Sequence, residues 1–255
     1  MSLSVNSMMP FSFKTMALIC AAGVGSRAGG TLPKQYQSLN GLPMLVHTIA
    51  AFAQTPCVLD VLVVIGSADE WFDELVAPHL PAGVMVARVG GASRAISVSN
   101  GLQFLKDYGK NLDHWVMVHD AARPCIRPEL IQRLFDGVCA AQADGGLLAL
   151  PVVDTVKLAE QLSDAAPDVY QVRQTLKRDE LWLAQTPQMF GLGALLRALS
   201  HVIDAENSDW VTDEASVMES FGVSPLLVGG HASNLKVTYP EDFLLAEFWL
   251  NHHKT

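Results

Sequence analysis

Apolar runs alternate with helix-period segments from residue 14 onward. Thr15–Cys20 is a compact apolar run ending in small residues, and it predicts a first strand. Leu42–Gln54 carries Leu45, Ile49 and Phe52 at helical spacing. Val58–Ile65 is almost wholly apolar, as a strand buried on both faces should be. Asp69–His79 reads as a helix with Trp71, Phe72 and Leu75 on its inner side. Val84–Val89 predicts a strand, Arg94–Lys106 a helix and Trp115–His119 a strand. Pro128–Gln142 predicts a helix opened by proline at its first turn, and Gly146–Pro151 another buried strand. This order predicts βαβ units in an α/β fold with a mostly parallel sheet.

The pattern breaks between Val152 and Gln174, where the chain is mixed and charged and its alternation is too weak for a core strand. That stretch is expected to form a protruding arm or hairpin. Regular structure resumes with a strand at Leu183–Phe190 and helices at about Leu192–Ala205 and Asp213–Phe221. Strands at Pro225–Val228 and Asn234–Val237 and a terminal helix at Pro240–His252 complete the expectation. Residues 1–13 read as a disordered leader and 14–255 as one domain, with the arm at about 152–175.

Composition narrows the class. The chain has 255 residues, 50% hydrophobic and 17% charged, enough for an ordinary core without staples. Its net charge of −9 argues against a bulk nucleic-acid binder but leaves room for a local cation cluster around a small phosphorylated ligand. Cys20, Cys57, Cys125 and Cys139 form no C-x-x-C pair and no zinc spacing. No apolar run reaches the ~20 residues that span a membrane. A soluble, cytoplasmic protein is expected.

Candidate chemistry lies at the ends of the predicted strands. Ala21-Ala22-Gly23-Val24-Gly25-Ser26-Arg27 follows the first strand. Small residues admit a ligand close to the backbone, and consecutive N–H groups in such a turn can cradle phosphate oxygens. Arg27 and Lys34 add the positive charge that a triphosphate demands. Two other readings stay open on these residues alone: a plain tight turn, and a dinucleotide fingerprint. Gly23, Gly25 and Ala28 match G-x-G-x-x-A. Against the fingerprint, Gly29-Gly30-Thr31-Leu32-Pro33 interrupts any helix, and the second strand ends in Ile65-Gly66-Ser67 with no acidic residue.

A second cluster is Val118-His119-Asp120-Ala121-Ala122-Arg123-Pro124. Asp120 stands at the carboxyl edge of its strand, where a carboxylate can hold Mg²⁺ together with phosphate oxygens. A capping aspartate beside a solvated arginine is the plainer alternative. His119 is expected to pack or hydrogen-bond locally. Gly90-Gly91-Ala92-Ser93-Arg94 repeats the strand–turn–helix arrangement, whose helix N-terminus favours anions. Later come Thr186-Pro187-Gln188, Thr212-Asp213-Glu214 and Asn234 to Thr238. Thr212 is a candidate helix cap, with Asp213 and Glu214 complementing the dipole. Lys236 is unexpected in a strand and so suggests a ligand role.

Taken together with Pro33-Lys34-Gln35-Tyr36, Asp154-Thr155-Val156-Lys157 and Gln185-Thr186-Pro187-Gln188, these motifs resemble the 2-C-methyl-D-erythritol 4-phosphate cytidylyltransferase family from about Thr15 to Trp249. The resemblance implies a Rossmann-like nucleotidyltransferase fold whose arm crosses to a second subunit of a homodimer. It implies transfer of CMP from CTP to the methylerythritol phosphate in the non-mevalonate isoprenoid pathway. Arg27 and Lys34 would clamp the triphosphate, and Asp120 would bind Mg²⁺. Ala21, Ala22, Gly23, Gly25, Gly91, Ser97, Asp120, Ala121 and Lys236 would surround the nucleotide. Arg123, Thr186, Thr212 and Lys236 would contact the acceptor, joined by Thr155 and Arg178 from the partner's arm. Two residues depart from the family pattern: Cys20 where proline is frequent, and Ala92 where an acidic residue is frequent. A relative acting on another polyol phosphate, a nicotinamide-dependent oxidoreductase and a non-catalytic nucleotide binder remain as alternatives.

Overall fold

The computed structural model describes residues 14–23, 32–161, 169–205 and 210–252. β1 (Thr15–Cys20) is followed by the short strands β2 (Ser38–Leu39) and β3 (Leu42–Pro43) and by α1 (Met44–Ala53). β4 (Val58–Gly66), α2 (Phe72–Leu75), β5 (Val84–Gly90), α3 (Arg94–Asp107) and β6 (Trp115–Asp120) continue the alternation. Then come α4 (Pro128–Ala141), β7 (Gly145–Pro151), β8 (Val156–Gln161) and β9 (Tyr170–Leu176). β10 (Trp182–Gly191), α5 (Leu192–Asp204), α6 (Glu214–Ser220), β11 (Leu226–Gly229) and α7 (Glu241–His252) end the chain.

Seven strands form one sheet in the order β11-β7-β10-β6-β1-β4-β5. Neighbours run parallel except at β10, which is antiparallel to both β6 and β7. The central strands are apolar on both faces because helices cover both. Ala17 and Ile19 of β1 face a cluster with Ile49 and Phe52 of α1 and Leu130 and Leu134 of α4. Met16 and Leu18 face the opposite cluster, with Val98 and Leu102 of α3, Leu195 and Leu199 of α5 and Val217 of α6. This is the period-two pattern of a doubly covered strand. A third, small cluster ties α7 through Ala246 to Leu39, Met44, Ala122 and Val237.

The path of the chain creates the crevice. It leaves β1 for β4 and β5 on one side, then returns to β6 on the other side of β1. Cys20 therefore pairs with Asp120 in the register of β1 and β6, at the carboxyl ends of two parallel strands whose connections diverge. Open α/β sheets bind ligands at such switch points.

Three expectations are corrected. The helix proposed for Asp69–His79 is two short pieces, α2 and a 3₁₀ turn at Ala77–His79. The Asp69 carboxylate accepts from the N–H groups of Trp71 and Phe72, so Asp69 stands outside the helix. Pro78 lacks an N–H and disfavours helical geometry at Ala77, which ends it. The strand expected at Asn234–Val237 is irregular backbone. There Arg123 donates to the Asn234 carbonyl and Val237 N–H donates to Ala122, which leaves no ladder to join. Helix α6 is capped by Asp213 rather than Thr212: the Asp213 carboxylate accepts from Ser216 N–H in a capping box. At the break expected between Val152 and Gln174, β8 and β9 pair antiparallel in a two-stranded sheet separate from the main one, and residues 162–168 lie outside the described residues.

Candidate active site

Backbone segments distant in the chain converge over the β1–β6 switch point. A cleft of about 540 Å³ is lined by residues from four of them: Cys20 to Gly23, Gly91 to Arg94 with Ser97, Asp120 to Ala122, and Lys34 with Gln35. Lys236 completes it from the irregular segment before α7. A larger, more open groove of about 760 Å³ along α4 contains none of the motif residues, so chemistry places the site in the smaller cleft.

Each wall has a local cause. Ala21 N–H donates to Val64, and Ala21 carbonyl accepts from the Gln35 side-chain amide at 2.9 Å, which fixes the turn after β1. Gly91 is required by packing: a Cβ there would lie 2.2 Å from Ile96 Cγ2. Its N–H donates to Ser97 Oγ at 3.0 Å, and that hydroxyl donates to the Ser93 carbonyl. Ser97 thus pins the loop that begins α3. Lys34 Nζ donates to the Val237 carbonyl at 2.9 Å and so bridges the 3₁₀ turn at Lys34–Tyr36 to the segment that carries Lys236.

Asp120 is the electrostatic centre. It is 7% exposed, and its two oxygens are engaged separately. Arg94 Nε donates to Oδ1 at 2.9 Å, and Lys236 Nζ meets Oδ2 at 2.8 Å. Arg123 Nε lies 3.9 Å from Oδ2. Burial pushes the carboxyl upward, but Arg94, then Lys236 and Arg123, outweigh it and hold the group well below the usual carboxylate range. The carboxylate is ionised at any working pH. Below it, Asp120 N–H donates to Thr186 Oγ1 at 3.1 Å, and Thr186 Oγ1 lies 3.0 Å from His119 Nδ1. Asn234 in turn donates to the Thr186 carbonyl. His119 is fully buried, and that burial lowers its pKa to about 3, so it is neutral and locally bonded as the sequence suggested.

The structure gathers Ala21, Ala22, Gly23, Lys34, Gly91, Ser97, Asp120, Ala121 and Lys236 around one cleft. Arg27 and Gly25 lie outside the described residues. Arg123 adjoins the site but donates Nη1 to the Asn234 carbonyl. Thr186 is 4% exposed and sits under Asp120, with its hydroxyl engaged on both sides. Thr212 is exposed beside α6. Thr155 and Arg178 are exposed at the base of the arm, where Arg178 Nη1 donates to the Val153 carbonyl; neither lines the cleft. Sequence reasoning missed Glu214 as part of the site. It was read as complementing a helix dipole, but it is 1% exposed and takes Arg94 in a two-point fork at 2.5 and 3.0 Å. Only a buried position for that acidic residue signals the pairing, and residues 94 and 214 share no local pattern.

On the cleft lining a metal would find one carboxylate, Asp120, since Glu214 lies behind it with both oxygens on Arg94. Among the described residues, no three His, Cys, Asp or Glu side chains cluster into a cage. That donor set fits a magnesium-like ion held by one carboxylate and the oxygens of a bound phosphate, which is that ion's usual habit.

Comparison with known proteins completes the picture. Residues 15–252 match the family model for 2-C-methyl-D-erythritol 4-phosphate cytidylyltransferase. The chain is 51% identical over 231 residues to the enzyme of that name from Chromobacterium violaceum, covering 91% of this chain and 95% of that one. It is also 51% identical to the bifunctional enzyme IspD/IspF of Albidiferax ferrireducens, and there it spans about half of the relative's length, 51%. The crystal structure of Francisella tularensis 2-C-methyl-D-erythritol 4-phosphate cytidylyltransferase superposes with a TM-score of 0.75 at 32% identity, covering 92% of this chain and 99% of that one. This chain therefore belongs to the 2-C-methyl-D-erythritol 4-phosphate cytidylyltransferase family, nucleotidyltransferase enzymes of the non-mevalonate isoprenoid pathway.

Proposed function

We propose that this chain transfers CMP from CTP to 2-C-methyl-D-erythritol 4-phosphate, releasing pyrophosphate. The observation that carries the reading is the convergence of Lys34, Asp120 and Lys236 on the small-residue turn at the β1–β6 switch point. An oxygen of the acceptor phosphate attacks the α-phosphorus of CTP, and the bond from that phosphorus to the pyrophosphate oxygen breaks. A phosphate monoester is largely ionised at pH 7, so no strong general base is needed. Catalysis reduces to aligning two anions and stabilising the charge that builds between them. Lys34, and Arg27 by motif, supply positive charge at the triphosphate. The backbone of Ala21, Ala22 and Gly23, and of Gly25 by motif, would let the nucleotide approach, and Gly91, Ser97 and Ala121 line the same cleft.

Asp120 would hold a divalent cation, Mg²⁺ by its donor chemistry, which when bound neutralises triphosphate charge. Lys236 sits between the two substrates and serves both. Arg123, Thr212 and the partner's Thr155 and Arg178 form the acceptor side, in a homodimer whose arms are exchanged. Thr186 acts there through Asp120, since its hydroxyl is buried beneath that residue.

Pyrophosphate release from each nucleoside triphosphate, against a small panel of polyol phosphates, tests the assignment. Release with CTP and methylerythritol phosphate alone is expected. No release from that pair rejects the proposal, and release with ribitol 5-phosphate instead reassigns the acceptor.

A further inference from the structure

Arg94 lines the cleft from the first turn of α3, where a cation is well placed to meet an anionic ligand. Each of its three guanidinium nitrogens, however, already donates to a carboxylate: Nε to Asp120, Nη1 and Nη2 to Glu214. Glu214 spends both oxygens on that fork. It is not needed as a cap, because Asp213 and Ser216 close the helix start between them. A carboxylate this deeply buried is costly to desolvate, and such a pair rarely gains net stability over apolar packing. What the arrangement supplies is geometry. The planar fork on Glu214 aims Nε at Oδ1 of Asp120, which leaves Oδ2 turned to Lys236 and Arg123.

We propose that Arg94 and Glu214 are a positioning pair for Asp120, and that Arg94 acts through this carboxylate rather than on the nucleotide itself. The inference rests on the reading of Asp120 as a residue of the CTP side. Glu214 lies far along the chain, on the helix after the segment that carries Thr212. The bridge therefore ties that helix to the end of β6.

The test is a mutational cycle. Arg94→Lys keeps the charge but cannot span two carboxylates with a planar fork. Glu214→Gln keeps the shape and removes the charge. Each is expected to raise the CTP KM and weaken CTP binding in calorimetry with Mg²⁺ by about tenfold, as loss of a partner that orients a ligand-holding residue commonly does. The KM for the acceptor should stay unchanged. In an Asp120→Asn background neither change should lower kcat/KM for CTP further, because the pair then has nothing to position. Fold-losses that multiply in that background would mean that Arg94 meets the ligand directly, and the proposal falls. It falls also if either variant binds CTP as the parent does. If Glu214→Gln does not fold, Arg94→Lys carries the cycle alone, since its ammonium still accompanies Glu214. Failure of the underlying reading shows separately, as an Asp120→Asn enzyme with parental CTP affinity and turnover.

Discussion

Lys34 and His119 show how one buried neighbourhood divides catalysis from stability. Lys34 donates to the Val237 carbonyl, a bond whose loss costs roughly 1–2 kcal/mol of folding free energy. Its assigned charge on the triphosphate weighs more. Lys34→Ala should lower kcat by about 10²–10³ while the protein stays folded, judged by pyrophosphate release beside a thermal melt. Near-parental turnover would reject the role. His119 works on stability. Burial depresses its folded pKa to about 3, against 6.5 ordinarily. As pH falls, the unfolded chain takes up this proton first. Stability is thus whole above about pH 6.5 and declines below it, approaching ~1.4 kcal/mol per pH unit from this group. His231, also lowered by burial and then by Arg127 and Arg133, adds in the same sense. A His119→Asn variant should show a shallower fall in urea midpoint between pH 6.5 and 4.5; an unchanged slope would clear His119 of the effect. Asp120 contributes in a different window, below the ordinary carboxylate range, where its cation partners lose their charge complement.

Among the elements, strands and long helices were legible from periodicity because both faces of β1, β4 and β6 meet helices, so the apolar runs are unbroken. Helix α3 shows how packing overrides propensity. Gly101 lies mid-helix, and a Cβ there would come 2.7 Å from Val64 Cγ2 and 2.8 Å from Leu18 Cδ1. Alanine gains up to about 1 kcal/mol in helix propensity. Overpacking two fully buried strand residues costs about 1–3 kcal/mol. Gly101→Ala should therefore lower the melting temperature, and a rise would show that α3 can shift outward. The segments that misled are those whose form is set by distant partners. Residues 234–237 have strand-like composition, yet Arg123, Gln185 and Thr186 take the polar groups of Asn234. Likewise nothing near Glu214 announces a guanidinium contributed by α3. What was legible of the site was its small and charged residues at strand ends; what was not was which of them neutralise one another.

For the whole molecule, the arm poses the main question. Among the described residues β8 and β9 pair only with each other, and Tyr170, Val172 and Leu158 are exposed on them. If the arm serves assembly and the acceptor side, replacing residues 156–176 by a short Gly-Ser linker should leave the melting temperature nearly unchanged. It should abolish turnover while retaining CTP binding, and convert a dimer to a monomer in sedimentation. A stable, dimeric, active deletion would overturn that assignment. Lys236 completes the cleft, and its neighbour Val237 anchors Lys34. A polypeptide still emerging from the ribosome carries the small-residue turn after β1 and Asp120 well before it carries Lys236 or Val237. If the cleft takes CTP as proposed, nucleotide can stabilise the nascent chain only once residues 236 and 237 have emerged, and products terminated before them should escape CTP-affinity capture.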